Sequence, residues 1–205
     1  MNKYYLIKFL SKNLPWGKLF ATRSNFECGY FIDEGYFVTK YLKTPSDVLV
    51  MGSGNGREAR PICRQGHKIV CFDIGGLYCA SGEALFRKEG IRTVYFVEAD
   101  IFRLPFAENS FDFIFFSLYS TVGERRFEML KNIRFVLRPS GLILLGCLTP
   151  LYREKYKRLP LGGRIFISSE TELNNEVSSC GFDFLESRVD AKRPEYRFSI
   201  LRGKQ

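Results

Sequence analysis

Short apolar runs alternate with amphipathic stretches along most of this chain. The runs predict strands at 46–51, 68–73, 92–97, 111–117 and 141–148. The amphipathic stretches predict helices at 3–13, 25–43, 55–65, 76–89 and 121–137. A basic connection then leads to a helix at 169–180 and to strands at 182–189 and 195–202. Because strands and helices alternate strictly, we expect an α/β fold with a parallel sheet and right-handed crossovers.

Two of these elements carry additional signals. The strand at 111–117 is apolar at consecutive positions, which is typical of a central strand covered on both faces. The helix at 169–180 begins with a capping box formed by Ser169 and Glu172, and Gly181 follows its end. The first signal places one strand in the middle of the sheet, and the second fixes the bounds of a late helix.

A glycine-rich turn follows the first strand, with glycines at 52, 54 and 56. Residues without a Cβ atom allow a tight strand-to-helix turn against which a ligand can lie. Asp73 ends the second strand, seventeen residues beyond Gly56, where its carboxylate is placed to accept hydrogen bonds from ribose hydroxyls. The pair predicts a nucleoside-binding βαβ unit. A dinucleotide fingerprint would require a further glycine where this chain has Arg57.

A more specific pattern lies farther along the chain. It consists of EADIFRLPF at 98–106, NSFDFIFF at 109–116 and LRPSGLI at 137–143. With the glycine-rich turn and Asp73, these segments resemble the class I S-adenosylmethionine-dependent methyltransferases (type 11-like domain). The resemblance implies a Rossmann-like, seven-stranded, mostly parallel sheet in the order 3-2-1-4-5-7-6, with strand 7 antiparallel and helices on both faces. It also implies methyl transfer as the activity and S-adenosylmethionine as the cofactor.

The resemblance further implies a set of cofactor-binding residues: Gly52, Ser53, Gly54, Asn55, Gly56, Asp73, Ile74, Asp100, Ile101, Phe116 and Ser117. The glycine-rich turn, lined by Ser53 and Asn55, would approach the methionine and ribose parts of the cofactor. The Asp73 carboxylate would hold the ribose hydroxyls, and Ile74 would pack on the adenine ring.

The remaining members of this set follow strands 3 and 4. The Asp100 side chain would accept a hydrogen bond from the adenine amino group, and the Ile101 amide would donate to a ring nitrogen. Asp100 taken alone is equally consistent with a helix N-cap. Phe116 and Ser117 lie at the carboxyl end of strand 4, in the crevice where such sheets bind ligands. Asp112 is interpreted as a structural cap of its strand.

The chain departs from the family pattern at Val50. Relatives commonly have an acidic residue near the end of strand 1, and that carboxylate helps to neutralise the ammonium end of the cofactor. Its loss would weaken cofactor binding by about tenfold. The sequence leaves three alternatives open: Glu58 or Glu27 compensates, the cofactor binds weakly, or activity has been lost.

Composition is consistent with a single domain. The chain has 205 residues, 45% of them hydrophobic, which suffices for one core. We divide it into an N-terminal helical lid at 1–43, a cofactor-binding core at 46–148 and a substrate-side part at 149–205. The apolar runs are too short to span a bilayer, and Lys8 and Lys12 interrupt an N-terminal segment that would otherwise resemble a signal peptide. We therefore expect a cytoplasmic protein.

The six cysteines and the single histidine, His67, show no spacing typical of a metal site. We expect free, mostly buried thiols in a reducing compartment, a turn position for His67, and no metal.

The sequence identifies no catalytic residue. Methyl transfer from a sulfonium is an in-line displacement, and orientation of the acceptor can supply ~7–11 kcal/mol of the barrier without a general base. Tyr119, Tyr30 and Tyr36 are candidates for positioning the acceptor, although residues of this kind more often serve aromatic packing.

The net charge of +9 includes a basic and aromatic segment at 152–164. Its basic residues suit a small anionic substrate, RNA phosphates or plain solvent exposure: Arg153, Lys155, Lys157, Arg158 and Arg164. Three functions therefore remain open. They are methyl transfer to a small molecule, which the glycine turn and both aspartates favour, modification of RNA, and a non-catalytic protein that keeps the fold.

Overall fold

The computed structural model describes residues 22–117, 125–156 and 169–204. Its helices are α1 Arg23–Glu27, α2 Ile32–Tyr41, α3 Gly76–Lys88, α4 Arg126–Val136, α5 Pro150–Tyr156 and α6 Glu170–Ser179. Its strands are β1 Asp47–Met51, β2 Lys68–Asp73, β3 Val94–Glu98, β4 Phe111–Phe116, β5 Leu137–Leu148, β6 Phe182–Val189 and β7 Tyr196–Gly203. The helix predicted at 3–13 lies outside the described residues.

The strands form one seven-stranded sheet in the order β3-β2-β1-β4-β5-β7-β6. β1 pairs with β2 and β4 in parallel, and β4 pairs with β5 in parallel. β7 is antiparallel to both of its neighbours. The expected fold class and strand order are therefore confirmed.

The core lies on both faces of β4, as its continuous apolar sequence predicts. Phe113 and Phe115 pack with Val50 in a cluster on one face, whereas Ile114 and Phe116 belong to the cluster on the other face. All four β4 side chains are buried. The strand order reverses at the junction between β1 and β4, and ligands bind at such switch points in open α/β sheets.

The helix predicted at 25–43 is two helices in the structure. α1 begins after Thr22, whose hydroxyl accepts a hydrogen bond from the Asn25 N–H, and ends before Gly29. Gly29 has a φ of +66°, which a continuous right-handed helix does not allow. The chain therefore turns between the two helices and brings Tyr30 and Phe31 against the sheet.

The prediction of a helix at 55–65 is wrong, because this segment forms a series of turns. Pro61 has no N–H and blocks helical pairing in the middle of the segment. Gly54 and Gly56 also have positive φ values, so the segment cannot begin as a regular helix. The backbone is instead held by short-range bonds, such as the Ala59 N–H to the Gly56 carbonyl at 3.1 Å.

β2 and β6 have their predicted bounds, and the other predicted elements are present with bounds shifted by a few residues. β5 begins at Leu137, four residues before its predicted start, and the β4–β5 register shifts between Phe111 and Phe113. The capping box of Ser169 and Glu172 is confirmed at the start of α6. α5 was predicted only as a basic connection. Within the three described ranges, no helix has the length and apolar content needed to cross a membrane.

Candidate functional site

The glycine turn lies at the carboxyl end of β1, beside the switch point. Gly52, Gly54 and Gly56 have φ values of +65°, +54° and +89°, so all three adopt the left-handed region that favours glycine. The Ser53 N–H donates to the Phe72 carbonyl at 3.1 Å, which ties the turn to the end of β2.

Asp73 joins the glycine turn to the β2–α3 turn. One carboxylate oxygen accepts the Gly54 N–H at 2.9 Å, and the other accepts the Gly75 N–H at 2.9 Å. Burial raises the pKa of Asp73, although these backbone N–H groups oppose the rise. The carboxylate is therefore fixed in one orientation, and each oxygen keeps a lone pair for a further donor.

The glycines of the turn meet different surroundings. A Cβ at Gly56 would lie 2.7 Å from Cε2 of Phe86 and 3.0 Å from Cζ of Phe96, so close packing excludes a side chain there. A Cβ at Gly54 would have no atom of the described residues within 4 Å. Gly54 thus presents backbone to open space, whereas Gly56 faces the interior.

The side chains of Ser53 and Asn55 are buried. The Asn55 amide donates to the Thr22 carbonyl at 2.9 Å and accepts from the Asn25 amide at 3.1 Å. These bonds attach α1 to the glycine turn. The side chain of Asn55 therefore serves the connection to α1.

Asp100 and Ile101 follow β3 in a tight turn. The Asp100 carboxylate accepts the Phe102 N–H at 3.0 Å, and the Asp100 carbonyl accepts the Arg103 N–H at 2.8 Å. Asp100 therefore caps a turn in this structure, and no helix follows it. Ile101 and Ile74 are both half-buried.

Phe116 and Ser117 end β4 at the switch point. Phe116 is buried in the core, whereas Ser117 is half-buried and its hydroxyl lies 3.5 Å from Oε1 of Glu34. Val50 is 1% exposed, with Cys71 and Phe115 as its register partners. The strand-1 position that is commonly acidic in relatives is thus part of the apolar core.

Glu34, Arg57 and Glu58 form a buried charged network next to Ser117. The Arg57 guanidinium donates to both Glu34 oxygens, at 2.8 and 3.2 Å, and also to Glu58 Oε1. Burial raises the pKa of Glu34, because the favourable charge of Arg57 does not fully offset the loss of solvent and the neighbouring Glu58. Sequence analysis missed Glu34; its only local signal is the third position of a helix, where it accepts the Phe31 N–H at 3.1 Å.

The other acid considered as a replacement, Glu27, is on the surface. Its carboxylate lies 2.6 Å from Arg23 in a pair four residues apart along α1. Of the two acids considered as compensation for Val50, Glu58 is therefore the one that lies within the buried network.

The amino end of α2 is attached to the β6–β7 hairpin. The Asp33 N–H donates to Asp190 at 3.1 Å, and Asp33 in turn accepts the Ala191 N–H at 2.9 Å. The Phe31 ring contacts two guanidinium groups, with Arg57 at 4.8 Å and Arg193 at 4.7 Å from its centroid. These contacts fix the start of α2, which holds Glu34 next to Ser117.

The tyrosines proposed for acceptor positioning have partners in the structure. The Tyr30 hydroxyl donates to the Glu58 carbonyl at 2.9 Å, its ring stacks on Phe115, and burial raises its pKa. The Tyr36 hydroxyl donates to Glu186 at 3.2 Å. Tyr119 lies outside the described residues.

Only part of the basic segment is described. The Lys155 Nζ atom lies 2.6 Å from the buried Glu195 carboxylate. The side chain of Arg153, together with Lys157, Arg158 and Arg164, lies outside the described part.

Several other residues have structural roles. Asp112 accepts the Asp47 N–H at 2.9 Å and pairs with Arg138 at 2.7 Å. Asp47 and Asp112 lie at the amino ends of β1 and β4, opposite the glycine turn. These contacts confirm the interpretation of Asp112 as a structural cap. All six cysteines are free and five are buried, as expected. Within the described ranges, no cluster of three or more metal-ligating side chains occurs.

Comparisons with known proteins connect this chain to methyltransferases. Residues 49–145 match the family described as "Methyltransferase domain". The chain is 31% identical over 161 residues to the biotin biosynthesis bifunctional protein BioHC of Cellvibrio japonicus, a match that covers 76% of this chain and 31% of that protein. It is 28% identical over 148 residues to cycloartenol-C-24-methyltransferase of Arabidopsis thaliana, covering 68% of this chain and 44% of that enzyme. The chain thus spans less than half the length of these relatives.

A solved structure extends the likeness over the whole chain. The 1,6-didemethyltoxoflavin-N1-methyltransferase of Burkholderia thailandensis, solved with 1,6-didemethyltoxoflavin and S-adenosylhomocysteine bound, superposes with a TM-score of 0.70 at 17% identity. The match covers 99% of this chain and 87% of that one. At this identity the likeness shows a shared fold.

Proposed function

The chain belongs, through residues 49–145, to the class I S-adenosylmethionine-dependent methyltransferases, and from this membership we propose that it transfers a methyl group to a small-molecule acceptor. The observation that carries the proposal is the junction of the glycine turn with Asp73, in which one carboxylate orders both turns at the switch point. The cofactor of this family, S-adenosylmethionine, supplies the methyl group on a positively charged sulfur.

The residues at the glycine turn fit such a cofactor. Gly54 offers backbone to open space, so a ligand can approach it without meeting a side chain. The two Asp73 oxygens, each with a lone pair left, suit the two neighbouring hydroxyls of a ribose. Arg57 occupies the position of a dinucleotide glycine, and its guanidinium is bound to Glu34 and Glu58. These features favour a mononucleoside cofactor over a dinucleotide.

We assign the remaining predicted residues to the same site. Ile74 would pack on the adenine, the Ile101 amide would donate to a ring nitrogen, and the Asp100 carboxylate would accept a hydrogen bond from the amino group. Ser53 and Asn55 would act by holding the turn, because their side chains are buried.

A small-molecule acceptor is supported by the relatives. Cycloartenol-C-24-methyltransferase and the didemethyltoxoflavin methyltransferase are both named for small organic acceptors. Ser117 lies at the end of β4 beside the turn, and the acceptor would approach there. Modification of RNA rests on the basic segment at 152–164, of which the structure describes one paired lysine side chain. We also propose a cytoplasmic location, which the free cysteines favour.

Titration calorimetry with S-adenosylmethionine, S-adenosylhomocysteine and a nicotinamide dinucleotide tests the cofactor. We expect the two adenosyl ligands to bind. Asp73→Asn should weaken the binding of both by about tenfold or more, since it removes charge-assisted hydrogen bonds. Asp112→Asn is the matched control, because Asp112 also accepts a backbone N–H but lies at the amino end of β4, away from the glycine turn. Binding of the dinucleotide alone would overturn the proposal.

Transfer of a labelled methyl group tests the acceptor class. We expect label to enter a small-molecule extract and not total RNA. Label in RNA alone would replace the proposed acceptor. Label in neither, together with measured cofactor binding, would identify a non-catalytic protein that keeps the fold.

A further inference from the structure

The buried network of Glu34, Arg57 and Glu58 contains more negative than positive groups. Two carboxylates share one guanidinium, and the three residues are 0%, 9% and 7% exposed. The Arg57 guanidinium also donates to the Gly29 carbonyl at 2.6 Å. Among the residues that the structure describes, Arg57 is the cation within ion-pair distance of both carboxylates. With both carboxylates ionised, the network has a net charge of −1.

A buried charge without a full counterion is costly, so a site of this kind is expected to favour a cation nearby. Solvent screens the network little because all three members are buried. Among the described residues, Arg193 lies on the ring of Phe31 and makes no ion pair with either carboxylate, and the other groups that hydrogen-bond to these residues or to their backbone are uncharged. They are the Phe31 N–H, which donates to Glu34, the Ser117 hydroxyl, and the Tyr30 hydroxyl, which donates to the Glu58 carbonyl.

The network lies at the switch point of the sheet. Arg57 and Glu58 directly follow the last glycine of the turn, and Glu34 lies 3.5 Å from the hydroxyl of Ser117, at the carboxyl end of β4. β1 and β4 are the strands between which the order reverses. A ligand bound in this crevice therefore lies next to the excess negative charge.

We propose that the Glu34–Arg57–Glu58 network makes this crevice select ligands by charge, so that it binds the positively charged methyl donor in preference to the neutral demethylated product. The inference rests on the proposed function. S-adenosylmethionine and S-adenosylhomocysteine have the same amino-acid and nucleoside parts, and they differ by the methyl group and by the charge on sulfur. The network acts through space, and it assists turnover by favouring release of the product.

Glu34→Gln tests the inference, because it makes the network neutral and keeps the size of the side chain. The measurement is the ratio of the dissociation constants of S-adenosylhomocysteine and S-adenosylmethionine, determined by calorimetry at low salt. We expect the wild type to favour the charged ligand, and the variant to lower this ratio on the order of fivefold to tenfold. If Glu34 had a purely structural role, the variant would bind both ligands more weakly to the same extent, and the ratio would be unchanged.

Glu176→Gln is the matched control. Glu176 is a largely buried carboxylate that, like Glu34, pairs with an arginine, Arg126. It lies on α6, away from the glycine turn in the chain, and the Glu176→Gln variant should show the wild-type ratio of dissociation constants. If Glu34→Gln does not fold, Glu58→Gln makes the same change of charge from the other side of Arg57. An unchanged ratio in the folded variant overturns the inference and leaves the proposed function standing. Failure of the wild type to bind either ligand overturns both.

Discussion

Gly54 and Gly56 are two residues apart in one turn, and we expect alanine substitutions at the two positions to have different effects on stability and on ligand binding. Both have positive φ, so either substitution forces an L-residue into the left-handed region, at a cost of ~1–2 kcal/mol of stability. At Gly56 the new methyl group would also lie 2.7 Å from Phe86 and 3.0 Å from Phe96. The Phe86 ring is 1% exposed, so it cannot move toward solvent.

The clash adds a cost at Gly56 only. Inserting a methyl group into a packed core costs a further ~1–3 kcal/mol. Gly56→Ala should therefore lower the free energy of unfolding by ~2–5 kcal/mol, and Gly54→Ala by ~1–2 kcal/mol. For ligand binding the order should reverse. The methyl group of Gly54→Ala would project into the space where we propose the cofactor lies. It should weaken the binding of S-adenosylmethionine by about tenfold or more.

Urea denaturation gives the stabilities, and calorimetry below the unfolding transition gives the affinities. Gly56→Ala should keep the affinity of the wild type within about threefold, because its methyl group faces the core. The reasoning is refuted if Gly54→Ala is the less stable variant, or if it binds the cofactor as tightly as the wild type. The first result would contradict the packing argument at Gly56, and the second would mean that the open side of Gly54 is not the ligand side.

Two further predictions concern buried polar groups. Burial lowers the pKa of His67, and its Nδ1 atom has no hydrogen-bond partner among the described residues. The unfolded chain therefore takes up the proton first as the pH falls below about 6.5. The free energy of unfolding should then fall with a slope of at most about 1.4 kcal/mol per pH unit, and His67→Asn should remove this contribution in urea titrations between pH 7.5 and 5. Asp190 accepts backbone N–H groups of Asp33, Lys192 and Arg193, so Asp190→Ala should cost ~2–4 kcal/mol in the same assay; a loss below ~1 kcal/mol would show that water replaces the carboxylate.

The strands could be predicted because their signal is local. Each central strand is an apolar run bounded by polar residues, and β6 has the bounds that its sequence predicts. The segment 55–65 does not form the predicted helix because Pro61 has no N–H to donate and because Gly54 and Gly56 have positive φ. The break at Gly29 has the same character, since a single backbone conformation decides it.

The candidate site could be predicted only in part. The proximity of the glycine turn and Asp73 follows from a single βαβ unit, in which the carboxyl ends of neighbouring parallel strands lie together. Glu34 had no such signal, because its position depends on distant contacts. The bond that attaches α2 to the β6–β7 hairpin joins Asp33 to Asp190, 157 residues apart. Nothing in the local sequence of α2 indicates that this end of the helix lies next to Ser117.

The valine at position 50 is consistent with this arrangement. Val50 packs between Cys71 and Phe115, the Tyr30 ring stacks on Phe115, and the charge of Glu58 helps burial to raise the pKa of Cys71. An acid at position 50 would therefore enter the layer next to Glu58, where one guanidinium already serves two carboxylates. A third buried carboxylate would add its own desolvation cost, and Arg57 is already paired with Glu34 and Glu58. In the proposed role of the network, negative charge reaches the crevice from α2 and from the glycine turn, and the strand below it can be apolar.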